Sequence, residues 1–257
     1  QRLGPAQGGC GDWREEVKVA VDGQTVELGG SFAAACGERS LDLAPWTADA
    51  QVEGLFRALW REVGGRIGGR VREGQVPADA RLLAAHDSPP LGEIVRDINK
   101  YSNNVMARQL FLTLDNERPA TIEGARRRVV RWLQAKGMKI PELVLENGSG
   151  LSRSERISAD GLAQILRAIW HSAVMPELVA SLPIAGVDGT LRKRFGDSPL
   201  IGRAHLKTGY LDGARAVAGF LLDRNGKRWI VVCLINDPQA RLGKPAIDAL
   251  LLWLAQR

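Results

Sequence analysis

The last third of the chain constrains the fold most. Residues 205–207, 214–222 and 228–235 are short, β-branched or apolar runs that read as three strands. Asp223-Arg224-Asn225-Gly226 separates the last two as a tight turn, so that pair runs antiparallel. The most apolar run, residues 247–254, contains Asp248 and falls well short of the ~20 residues needed to cross a bilayer. It reads as a buried terminal helix, with no membrane span. Upstream, apolar spacing near 3.6 predicts helices over 90–98, 104–114 and 122–135. Helices followed by consecutive strands define an α+β arrangement.

The first eighty residues are organised differently. Residues 17–21 and 25–28 flank Asp22-Gly23, a hairpin signal, and residues 52–63 have helical apolar spacing. Residues 67–72 are expected to form a strand and residues 73–78 a linker. These readings put a boundary near residue 80, giving units 1–80 and 81–257. With 257 residues, 45% hydrophobic and 25% charged, the chain can bury a core and is not broadly disordered.

The net charge of +6 raises the question of nucleic acid. The basic runs are Arg126-Arg127-Arg128 with Arg131, and Arg192-Lys193-Arg194. The first shares a helix with Val129, Val130, Trp132 and Leu133, which makes it the solvated face of an amphipathic helix. No nucleic-acid partner is expected. Metal binding finds no support either, because His86, His171 and His205 stand apart from one another and from cysteine. Cys233 reads as a core thiol of its strand.

Two triplets carry chemistry. Ser102-Asn103-Asn104 lies in the break between two predicted helices and offers a hydroxyl able to relay a proton and an amide able to hold another amide. Lys207-Thr208-Gly209 lies about a hundred residues later at a strand, offering a cation, a hydroxyl donor and an unobstructed backbone. Together they suit an extended peptide ending in a carboxylate. The ordinary alternatives are a serine–asparagine helix cap and a solvated strand-end lysine. Ser149, between Gly148 and Gly150, does not satisfy Gly-x-Ser-x-Gly and reads as a turn. His205 shares a strand face with Lys207 but has no nucleophile elbow beside it.

Longer stretches around the triplets resemble one family. They are Ser88-Pro89-Pro90-Leu91, Asp97-Ile98-Asn99-Lys100-Tyr101-Ser102-Asn103-Asn104, Asn147-Gly148-Ser149-Gly150-Leu151-Ser152-Arg153, the segment 182–191, and His205 to Gly209. From about residue 83 onward the chain resembles, in one register, the D-alanyl-D-alanine carboxypeptidase/endopeptidases, the class C low-molecular-mass penicillin-binding proteins.

The resemblance implies a penicillin-binding-protein/β-lactamase-like transpeptidase domain, an antiparallel sheet flanked by helices. Residues 1–80 would be the C-terminal part of an accessory α/β insertion, and 81–257 the C-terminal part of the peptidase domain. It implies no cofactor, peptidoglycan peptides ending in D-Ala-D-Ala and β-lactam antibiotics as partners, and a periplasmic or cell-envelope setting. In such an enzyme Ser102 would shuttle a proton to the leaving amine and Asn104 would hold the acyl-side amide. Lys207 and Thr208 would bind the terminal carboxylate, Gly209 would admit the peptide, and the Tyr210 N–H would be one oxyanion donor. An exported protein would bridge Cys10 to Cys36.

The family's third element, Ser-x-x-Lys, is missing: no serine here is followed by lysine three positions later. The expectation is a fragment that opens inside the family's insertion and is inactive alone. The alternative is a non-catalytic peptidoglycan-binding homologue.

Overall fold

The computed structural model describes residues 3–22, 25–72 and 74–257. The chain divides into two compact units, Gln1–Ala84 and Ala85–Arg257. No described helix is long and apolar enough to cross a membrane.

In the first unit, β1 (Gly4–Ala6), α1 (Trp13–Glu16), β2 (Val17–Asp22), β3 (Thr25–Ala33) and α2 (Ala48–Glu62) follow in order. The sheet has the order β1-β3-β2, with β1 parallel to β3 and β2 antiparallel to it. Pairing of Asp22 with Thr25 closes the expected hairpin, whose turn residue Gly23 lies outside the described residues. Cys10 and Cys36 form a disulfide with Cα atoms 4.7 Å apart. Thr47 caps α2 by accepting from the Ala50 N–H, which starts the helix four residues before its first apolar position, Val52. Its apolar face (Val52, Leu55, Phe56, Leu59, Trp60 and Val63) is exposed.

The strand expected over 67–72 does not form. Side chains of α2 take the backbone carbonyls that a neighbouring strand would have used. Arg57 donates to the Ile67 and Gly69 carbonyls, and the Trp60 indole N–H donates to that of Arg66. Gly68 and Gly69 weaken the segment further as a strand.

The second unit carries α3 (Leu91–Tyr101), α4 (Asn104–Leu112), α5 (Ile122–Ala135), α6 (Ala159–Trp170) and α7 (Met175–Ser181). Then come β4 (Ala204–Leu211), β5 (Ala214–Leu222), β6 (Arg228–Asn236) and α8 (Lys244–Ala255). The three strands form an antiparallel meander with β4 and β6 at its edges. Alternate residues point to opposite faces, so the sheet serves two cores. On one face Leu206, Val217, Leu221 and Val231 pack with Ile247, Leu251 and Leu254 of α8. On the other, Phe220, Ala218, Ile230 and Val232 pack with Leu166, Trp170, Leu178 and Leu182. The apolar terminal run is thus the buried helix its composition predicts. Cys233 is only half-buried, packed at the border of the first core rather than inside it.

Asp223 fixes the β5–β6 turn. One carboxylate oxygen accepts from the Asn225 and Lys227 N–H groups, the other from the Trp229 indole at 2.9 Å. The indole bond first, and the two backbone donors with it, hold this carboxyl below the ordinary carboxylate range despite its burial. A depressed folded pKa gives stability that is full above the unfolded value of about 3.9 and lost as pH falls through the folded value. Asp223→Asn should therefore lower Tm at neutral pH and flatten the loss of Tm on acidification. Thermal melts between neutral pH and pH 2 check this; an acid limb as steep as the parent's would contradict it.

Candidate active site

The site begins with a backbone conformation. Helix α3 ends at Tyr101, and Ser102 takes the left-handed conformation (φ 54°, ψ 46°) as its C-cap. Asn103 then starts α4, its side-chain oxygen accepting from the Met106 N–H at 3.0 Å. The ordinary capping reading of this triplet thus belongs to Asn103, and the Ser102 hydroxyl is left for another partner. That conformation costs a non-glycine residue about 1–2 kcal/mol and requires firm support from its surroundings.

The partner comes from β4. Ala204 and Leu206 are fully buried on the α8 side, so alternation turns His205 and Lys207 toward the other face. Lys207 Nζ donates to Ser102 Oγ at 2.9 Å and to the Thr208 carbonyl at 2.7 Å. Two motifs separated by 105 residues meet at this bond. Burial holds the Lys207 ammonium below the ordinary lysine range. Among the described residues no carboxylate forms an ion pair with it.

The remaining expected residues have particular places. Asn104 is the first residue of α4, half-buried, two positions from Ser102. Thr208 Oγ1 lies 3.4 Å from Thr190 Oγ1. A side chain at Gly209 would place Cβ 3.2 Å from that of Ala216, its cross-strand partner. Tyr210 is exposed, with the Arg215 guanidinium 3.4 Å over its ring. His205 Nδ1 lies 3.1 Å from the Val179 carbonyl, and burial pushes its pKa down. Ser149 is held in a turn with Gly148 and Gly150 at positive φ, its hydroxyl donating to Asn147 Oδ1.

Sequence reasoning assigned no role to Thr190, Lys100 or Asp188. Lys100 is buried and donates to Asp188 Oδ2 at 2.6 Å and to the Leu182 carbonyl at 2.7 Å. The available signal was proximity: Lys100 sits two residues before Ser102, and the other two belong to the segment 182–191.

The arrangement can hold an anion. An ammonium has three donors, and two are used on neutral oxygens, which leaves one N–H and an uncompensated positive charge. By donating to Ser102 Oγ, the cation also makes that hydroxyl a better proton donor.

A model of the D-Ala-D-Ala carboxypeptidase 3 (S13) family matches residues 4–257. D-alanyl-D-alanine carboxypeptidase DacB of Haemophilus influenzae is 30% identical over 223 residues, covering 85% of this chain and 47% of that protein. D-alanyl-D-alanine carboxypeptidase of an Actinomadura species is 30% identical over 247 residues, covering 89% and 46% respectively. The crystal structure of penicillin binding protein 4 (dacB) from Haemophilus influenzae matches with a TM-score of 0.74 at 26% identity. That match covers 94% of this chain and 56% of the solved one. The same protein complexed with a β-lactam gives 0.73 at 27% identity, over 91% and 59%. The chain spans about half the length of the curated relatives it matches. A family match running from residue 4 to residue 257, with the same fold in the solved relative, places this chain in the D-Ala-D-Ala carboxypeptidase 3 (S13) family of serine-type carboxypeptidases.

Proposed function

We propose that this chain forms the carboxylate-recognising and proton-relaying part of a serine D-Ala-D-Ala carboxypeptidase or endopeptidase acting on peptidoglycan peptides in the bacterial periplasm or envelope. The observation that carries this reading is the Lys207 ammonium, half-buried, bonded to Ser102 and without a carboxylate partner among the described residues. A charge held out of water without a counterion is costly, and a substrate carboxylate relieves that cost. Family membership supports this substrate class.

In this reading Lys207 and Thr208 receive the terminal carboxylate, with Gly209 keeping strand β4 open to an extended peptide. Asn104 holds the amide on the acyl side, and the Tyr210 N–H donates to the developing oxyanion. The nucleophile is a serine of a Ser-x-x-Lys segment, which this sequence does not contain. Its oxygen bonds to the carbonyl carbon between the two D-alanines, the C–N bond breaks, and the leaving amine takes a proton through Ser102. Water then hydrolyses the acyl-enzyme. A β-lactam would enter as a carboxylate-bearing acylating agent at the same place. By the same reading, residues 1–80 belong to an accessory insertion and 81–257 to the peptidase domain.

Incubated with labelled penicillin, the 257-residue chain should show no covalent adduct by mass spectrometry. An adduct on Ser102 or Ser149 would overturn this assignment of roles.

In the protein joined to its Ser-x-x-Lys segment, Lys207→Ala should cost about 2–4 kcal/mol of transition-state stabilisation in acylation. Because burial lowers the Lys207 pKa, anion binding should fail on the alkaline side before an ordinary lysine would lose its charge. Lys207→Arg should keep its charge there, moving that limb upward while recovering only part of the rate. Acylation rates across pH, with folding checked by thermal melting, test both. An unchanged rate in folded Lys207→Ala would place Lys207 outside the site.

A further inference from the structure

The Ser102–Lys207 bond joins a helix end to a strand, and something must set the distance between them. Lys100, two residues before the strained cap at Ser102, is the buried lysine of α3. Its ammonium reaches out of the helix into the loop that follows α7. There it donates to the Leu182 carbonyl at 2.7 Å and the Asp188 carboxylate at 2.6 Å. The other Asp188 oxygen accepts from the Ile184 N–H at 2.8 Å, which folds the loop back on itself.

That loop is bonded in turn to β4. The Leu206 N–H donates to the Pro183 carbonyl and the Ala185 N–H to the Ala204 carbonyl, each at 2.9 Å, with a bridge between Ile184 and His205. Two further contacts press α3 against the same region. Asn99 Nδ2 donates to the fully buried Ser181 hydroxyl at 2.7 Å. Gly189, at φ 56°, lies so close to α3 that a Cβ there would come within 2.8 Å of the Lys100 carbonyl oxygen. A continuous run of short polar contacts therefore leads from Lys100, two residues before Ser102, through the loop to the strand bearing Lys207.

We propose that Lys100 is a positioning residue of this site: by binding the Leu182 carbonyl and the Asp188 carboxylate together, it fixes the separation of Ser102 from Lys207. The inference rests on reading Ser102 and Lys207 as a working pair, but its test needs no activity. When the clasp loosens, the gap between α3 and β4 widens, water reaches Lys207, and the desolvation that depresses its pKa is relieved.

The test is an NMR titration of the 257-residue chain with ¹³C-labelled lysine, following the Lys207 side chain. Asp188→Asn is the decisive variant. Losing a nearby negative charge alone would push the Lys207 pKa down, whereas a loosened gap pushes it up. A midpoint shifted upward, toward ordinary lysine, is expected. Leu133→Ala in α5, a destabilising change in a different part of the unit, should leave the Lys207 midpoint where it is. Lys100→Met should move it upward as well; if that variant fails to fold, Asp188→Asn carries the test alone. A Lys207 midpoint unchanged or lowered in folded Asp188→Asn, or raised equally by Leu133→Ala, would overturn the proposal. The proposed function stands or falls separately, on acylation by Lys207→Ala.

Discussion

The register of β4 against β5 is the constraint on which the rest depends. Ala204 pairs with Leu221, Leu206 with Gly219, and Thr208 with Val217, which drives Ala204 and Leu206 into the α8 core. Two apolar residues buried to completion hold this register, since a slip by one position would put His205 and Lys207 there instead. Gly219 reinforces it: at φ 149° its backbone runs so close to His205 that a Cβ would clash with the carbonyl oxygen. Burial of leucine on one face is thus what aims lysine on the other.

The unit holds two partly or fully buried lysines near this strand, and their environments differ in the way that separates framework from binding. Lys100 has a carboxylate, a carbonyl and almost no exposure, so its charge is matched within the protein. Lys207 has two neutral oxygens and retains an open donor. An ion pair in the interior contributes less to stability than its Coulomb attraction suggests, because both ions have lost water. The Lys100–Asp188 pair is better understood as fixing geometry, and the unmatched Lys207 as the group awaiting an anion.

Much of this was legible from the residues. Short β-branched and apolar runs with a four-residue turn gave β4, β5 and β6, and amphipathic spacing gave α5 at its observed ends, Ile122 and Ala135. Resemblance of the segments around Ser102 and Lys207 pointed to one family, and the chain belongs to it. The failures are instructive. The strand expected over 67–72 did not form, because Arg57 of α2 took its carbonyls, and contacts between elements are invisible to local propensity. Lys100 was given no role because a lysine in a helix is ordinarily solvated; only the fold shows which lysine it buries.

We propose that Ser102, Lys207 and Thr208 together receive a terminal carboxylate. The most direct measurement is binding of an N-acyl-D-Ala-D-Ala peptide to the 257-residue chain, compared with the same peptide amidated at its C-terminus and followed by NMR. Saturable shifts at Lys207, Thr208 and Ser102 are expected with the free carboxylate, and their loss with the amide. Equal binding of acid and amide, or shifts confined to other parts of the chain, would contradict it.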